Sequence, residues 1–176
     1  MNTTTAQSRV IVGIGDDTAD NTASGTAGDT ALAYAITEAR RRGGELVAVR
    51  TWGPLADPSP RDATPPGAET ELRAGATQRI SHAFTTLGGT PTDIQVTRRI
   101  PEGPAGPALV AVADRPDDLI VIGRSHHHLA RRAMCGSVPD YVMDHATCPV
   151  LIQPRTRTPH RRPEQHADSA PAGTFS

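Results

Sequence analysis

The residues with the clearest chemical potential lie near the carboxyl end, between an apolar run and a short helix. Leu119-Ile120-Val121-Ile122 has the continuous apolar character of a strand covered on both faces, and it ends at Gly123. A polar, basic stretch follows: Arg124, Ser125, His126, His127 and His128, with Arg131 and Arg132 close behind. Gly136-Ser137 then opens a helix. Ser137 is a good N-cap, Pro139 falls in the first turn where its missing N–H costs little, and Val138, Val142 and Ala146 share one face. After Pro149, Val150-Leu151-Ile152 reads as a second strand, so the whole is one βαβ unit. The chemistry this arrangement offers is anion binding. A helix that starts beyond the carboxyl end of a parallel strand presents unpaired N–H groups and the positive end of its dipole.

The spacing of Gly123, position 126 and Gly136-Ser137 resembles the nucleotide loop of the universal stress protein family, Gly-x2-Gly-x9-Gly-Ser/Thr. The continuation SVPDYVMDHATCPVLIQP is also similar to that family's last helix and strand, including its Cys-Pro-Val. Position 126 departs from the pattern, because His126 stands where the family has its second glycine. A glycine there lets the backbone approach a phosphate without an intervening Cβ. The imidazole of His126 either blocks that approach or supplies a polar contact in its place. A second departure lies at the end of the first strand. Relatives that bind nucleotides place an Asp at the position of Gly15, whereas here Gly15 precedes Asp16-Asp17. Either Asp16 takes that role through a one-residue shift of the loop, or the pair is a solvated turn. Thr51 matches the position whose backbone contacts adenine in the family.

Other chemistries fit less well. His126, His127, His128, Cys135 and His145 carry zinc-ligand chemistry, but zinc needs three or four ligands converging on one point. Cys135 and His145 flank one helix, about 13 Å apart at ~1.5 Å rise per residue, and cannot share an ion. Cys135, near a helix start and Arg131 and Arg132, has the surroundings of a lowered-pKa thiol. Cys148, just before a strand, reads as an inert core thiol. Gly13-x-Gly15-x-x-Thr18 lacks the third glycine of a dinucleotide fingerprint, and the next helix starts too late. No Ser-His-Asp arrangement, nucleophile elbow or Walker-type Gly-Lys-Ser/Thr can be placed. No catalytic residues and no metal ligands are therefore assigned.

The remaining features set bounds. A chain of 176 residues fits one domain with a real core. A net charge of −1 gives no general argument for nucleic acid or membrane surfaces, and 3% aromatic residues leave few stacking platforms for single strands. The start, MNTTTAQSRV, has no apolar signal-peptide core, and no stretch approaches the roughly 20 apolar residues of a membrane span. With two cysteines, no disulfide scaffold is expected, and the simple expectation is a reduced, cytoplasmic protein.

The elements that must position the loop alternate along the chain. Arg9 to Gly15 is a buried strand, and Asp16 to Gly28 a loop of small polar residues. Asp29 or Thr30 caps a helix with Leu32, Ala35, Ile36 and Ala39 as its stripe, Arg40 to Arg42 in its last turn and Gly43-Gly44 as its stop. Glu45 to Trp52 is the second strand, and residues 53–68 form a Pro- and Gly-rich loop. The helix from Glu69 to Leu87 presents Leu72, Ala76, Ile80, Ala83 or Phe84, and Leu87. Thr92 to Ile100 alternates like a strand near an edge, with Ile94, Val96 and Ile100 facing one way. Pro101 to Pro107 turns into a short helix containing Ala108, Leu109, Val112 and Ala113. Residues 1–8 are expected to be disordered. So is the tail 155–176, whose Pro and charge, with almost no large apolar groups, cannot offset its ordering entropy.

Alternating strands and helices predict a doubly wound α/β domain over residues 9–154, with a five-stranded parallel sheet and helices on both faces. The resemblance implies strand order 3-2-1-4-5, as in adenine nucleotide α-hydrolase-like folds. It also implies a site at the switch point formed by Gly13, Gly15, Asp16, Thr51, Ile122, Gly123, His126, Gly136, Ser137 and Val138. The ligand it implies is an adenine nucleotide, ATP with Mg2+, bound by a sensor or adaptor in stress response. It further implies a homodimer joined through Val150, Leu151 and Ile152. Two alternatives stand beside this: a nucleotide-free dimeric interaction module with a blocked pocket, and a slow ATPase.

Overall fold

The computed structural model describes residues 8–15, 27–53, 67–123 and 137–154. Strands β1 (Arg9–Gly13), β2 (Glu45–Val49), β3 (Val96–Arg99), β4 (Leu119–Gly123) and β5 (Val150–Gln153) alternate with helices α1 (Ala27–Arg42), α2 (Ala68–Thr86), α3 (Ala105–Val112) and α4 (Val138–His145). All strand pairs are parallel, in the order β3-β2-β1-β4-β5. Both the alternation and the expected order therefore hold. The strands that reverse direction of winding are β1 and β4, paired Val10↔Leu119 through Val12↔Val121.

Every residue of β1 and β4 between their ends is sealed from solvent, because helices cover both faces of the sheet. On one face, Leu32, Ala35, Ile36 and Ala39 of α1 and Ile80 and Phe84 of α2 pack on Val10, Val12, Leu46, Ala48 and Val121. On the other, Leu109 of α3 and Val142 of α4 meet Ile11, Val47, Ile120 and Ile122. The stripe expected for α1 is buried throughout. That of α2 is narrower than the periodicity predicts: Ala76, Ile80 and Phe84 are buried, whereas Leu72, in the second turn, and Leu87, the C-cap, are exposed. β2 is shorter than expected, ending at Val49, and Trp52 continues it only as a single bridge to Glu102. α1 starts at Ala27 rather than at a cap at Asp29 or Thr30, and α3 starts at Ala105, ahead of Pro107.

Glycine is required where α1 gives way to β2. Gly43 takes φ +59°, and a Cβ on Gly44 would stand 2.2 Å from the Ser8 carbonyl oxygen, which accepts the Glu45 amide at 2.9 Å. The start of β1 is held by ions. The Arg9 guanidinium donates to both carboxylate oxygens of the fully buried Asp118, at 3.0 and 2.6 Å, and also pairs with Asp114. This salt bridge lies at the amino edge of the sheet, opposite the edge where ligands bind in such folds.

A second charged group closes α1. Glu38, largely buried, accepts from Arg41 and Arg42, and these hydrogen bonds hold its carboxyl down to about 2. A carboxyl depressed on folding contributes stability above its unfolded value of about 4.3 that is lost as pH falls towards the folded value. Stability of the wild type should therefore decline between about pH 4.5 and 2 more steeply than that of Glu38→Gln. Parallel urea melts across that range check this, and superimposable pH profiles would remove Glu38 from the acid response.

Candidate functional site

In a parallel sheet of this order the connections after β1 and β4 leave in opposite directions, so their carboxyl ends border a crevice. On the β1 side lie Gly13, Ile14 and Gly15. A Cβ on Gly13 would meet Leu109 Cδ1 at 3.3 Å and Ile122 Cγ2 at 3.4 Å, so glycine makes room for the α3 side chain that packs over the ends of β1 and β4. Gly15 is exposed, and a Cβ there would have nothing within 4 Å. On the β2 side, the Ile14 amide donates to Val49 at 2.9 Å, and Arg50 Nη1 donates back to the Ile14 carbonyl at 3.1 Å. Half-buried Thr51 follows. On the β4 side, Ile122 is buried and Gly123 half-buried.

Ser137 caps α4 as its residue type requires: its backbone is extended (φ −90°, ψ 147°), and its Oγ accepts from the Asp140 amide at 3.2 Å. Capping uses a lone pair of the hydroxyl and leaves its proton for another acceptor. Pro139 has no N–H, and the Tyr141 amide already donates to the Ser137 carbonyl at 3.0 Å. The N–H groups of Ser137 and Val138 precede the first helical bond and are the ones an anion would meet. Asp140 lies in the same turn, where its charge suits the dipole but opposes an anionic ligand. Val138, at the helix start, is exposed, Val142 is buried, and Ala146, the C-cap, packs half-buried against the same cluster as Val142.

The structure thus brings Gly13, Gly15, Thr51, Ile122 and Gly123 to one edge, and α4 returns from that edge with Ser137 and Val138 at its start. Asp16, His126 and Gly136 lie outside the described residues, as do Arg124, His127, His128, Arg131, Arg132 and Cys135. Among the described residues no group of three or more His, Cys, Asp or Glu could hold a metal ion. His145 instead stacks on Tyr141, with ring centroids 4.0 Å apart, and donates from Nδ1 to the Tyr141 carbonyl at 2.8 Å. Cys148 is buried and its thiol is pushed up by that burial, as expected for an unreactive core cysteine. Sequence reasoning missed Arg50 as the link between β1 and β2. Its position directly after an apolar run was the only signal.

A doubly wound parallel sheet with a capped helix start at its switch point defines a class of small α/β proteins whose ligands sit at that edge. The family model of the universal stress protein family matches residues 9–154, and the chain belongs to that family. No curated protein matches the chain by sequence. Among solved structures, a universal stress protein UspA from Lactobacillus plantarum is 21% identical, with 84% of this chain and 97% of that one covered and a TM-score of 0.55. A universal stress protein in complex with cAMP is 22% identical over 86% of this chain and 99% of the other, at a TM-score of 0.51. A family member from Arabidopsis thaliana with AMP bound is 16% identical over 84% and 92%, at 0.53. At these identities the likeness is one of fold. Among the described residues no helix is long and apolar enough to cross a membrane.

Proposed function

We propose that this protein binds an adenine nucleotide, ATP with Mg2+, at the carboxyl edge between β1 and β4, and acts in the cytoplasm as a stress-response sensor or adaptor. The observation that carries the proposal is the Ser137 cap, which engages a lone pair of the hydroxyl rather than its proton at the start of the helix that follows β4. Two structural relatives are described as bound to cAMP and to AMP, which supports an adenine nucleotide as the ligand class.

In this reading Gly136, Ser137 and Val138 hold the phosphates, with Ile122 and Gly123 passing the ribose. Gly13, Gly15 and Asp16 border the nucleoside, and the Thr51 backbone meets the adenine. His126 contributes an imidazole where a glycine would give only backbone. Mg2+, when bound, would neutralise phosphate charge. The protein acts as a homodimer through β5: Val150, Leu151 and Ile152 are half-buried, and among the described residues β5 pairs with β4 alone, as an edge strand does.

Calorimetric titration of millimolar ATP with Mg2+ into the wild type and His126→Gly tests the proposal. Saturable heat in the wild type with negligible hydrolysis is the expected result. Heat only in His126→Gly would favour the interaction module with a blocked pocket, and rapid phosphate release would favour the ATPase. Silence from both variants would remove nucleotide binding altogether.

A further inference from the structure

We infer that Tyr141, seated on Gly106, is the positioning residue of the α4 anion cradle. The inference rests on the nucleotide site proposed above and concerns what aims its phosphate end.

Two adjacent residues of α4 face the fold, the buried Val142 and the half-buried Tyr141. Val142 joins the apolar cluster under the sheet, together with Leu109 and Ala113 of α3 and its margin. Tyr141 meets α3 at the buried Gly106. A Cβ on Gly106 would stand 2.9 Å from Tyr141 Cδ1 and 3.0 Å from both its Cβ and Cγ. Two of these atoms are the root of the side chain, so no rotation of the ring relieves the approach, and only α4 as a body can withdraw. The ring is also stacked on His145, nearly parallel to it at 3°. The two inward residues are adjacent, so together they fix the roll of the helix as well as its depth. Four residues earlier stands Ser137, whose carbonyl accepts the Tyr141 amide at 3.0 Å. Any displacement of Tyr141 is passed through that bond to the cap.

The other partner is anchored to the site as well. Gly103, with φ +99°, donates its amide to the Trp52 carbonyl at 2.8 Å, and α3 begins two residues later at Ala105. Trp52 directly follows Thr51. The contact between Gly106 and Tyr141 therefore joins the β2 side of the crevice to the helix start across it, by a short path of packed atoms and backbone hydrogen bonds.

The test uses the full chain with AMP as probe, read by calorimetry well below the melting temperature, with amide hydrogen exchange on the same samples. Gly106→Ala should weaken AMP about tenfold, the equivalent of ~1.4 kcal/mol. Exchange should quicken at the α4 amides while those of β1 and β4 keep their protection. Tyr141→Ala should behave like Gly106→Ala, and Tyr141→Phe, which keeps the packing atoms, should bind AMP as the wild type does. A residue with a merely structural role would lower the melting temperature without changing the affinity of the folded protein. Unchanged AMP affinity in Gly106→Ala and Tyr141→Ala, against a wild type that binds, overturns the inference alone. A wild type that binds neither AMP nor ATP overturns the nucleotide site and this inference with it.

Discussion

Asp118→Ala should lower the free energy of unfolding by about 3–5 kcal/mol, the range for breaking one side of a buried ion pair. Asp118 is fully buried. Its carboxylate accepts two hydrogen bonds from Arg9 and a third from the Arg115 amide at 3.1 Å. Removing it leaves the Arg9 guanidinium, itself 14% exposed, with the exposed Asp114 as its remaining anion. The part-buried Arg115 amide also loses its acceptor, which adds to the cost to the extent that water cannot replace it. The cost arises from leaving a largely buried guanidinium to the exposed Asp114 and the Val112 carbonyl, rather than from the attraction lost. Arg9→Met combined with Asp118→Ala should therefore recover a substantial part of the loss, giving a coupling energy well outside additivity. Urea unfolding of the four proteins of the cycle measures it. A single-variant loss under about 1 kcal/mol, the scale of a surface pair, would mean that the pair is not held as described.

Ser137→Asp should abolish nucleotide binding while leaving the fold intact. Aspartate is as good an N-cap as serine, so α4 keeps its start and the melting temperature should stay within a few degrees. The hydroxyl proton is replaced by a full negative charge at the point where the phosphates would rest. Like-charge juxtaposition costs several kcal/mol, so an affinity loss of about 100-fold or more is expected. Ser137→Ala makes the complementary case: it loses about 1 kcal/mol of capping and the donor, but adds no repulsion, so its affinity should lie between the two. If Ser137→Asp binds AMP or ATP as tightly as the wild type, the phosphates do not lie on α4.

The layers and the apolar faces were legible because burial on both sides of a parallel sheet leaves continuous runs such as Val10-Ile11-Val12 and Leu119 to Ile122. Strand order was not legible from those runs, since every one of them could pair with any other; it came from the family resemblance. What escaped sequence reasoning is long-range. Arg9 and Asp118 are 109 positions apart, and each is simply a charge that precedes an apolar run until the pairing of Val10 with Leu119 makes them neighbours. Gly106 looked like part of a turn, and only the approach of Tyr141 shows why a side chain is excluded there. Leu72 and Leu87 illustrate the opposite error, where helical spacing continues but burial does not. At the site, Ser137 was found from its residue type and position, because N-cap chemistry is local. The contributions of Asp16, His126 and Gly136 depend on loop conformation, which residue types alone do not determine.

The central claim is that an adenine nucleotide occupies the crevice between β1 and β4 with its phosphates on the start of α4. Amide chemical-shift mapping by NMR during titration with ATP and Mg2+ tests it most directly. The account predicts saturable shifts at Ile14, Gly15, Thr51, Gly123, Ser137 and Val138, with the amides at the amino edge around Arg9 and Asp118 unmoved. Saturable shifts confined to other surfaces, or none at millimolar nucleotide, would contradict it.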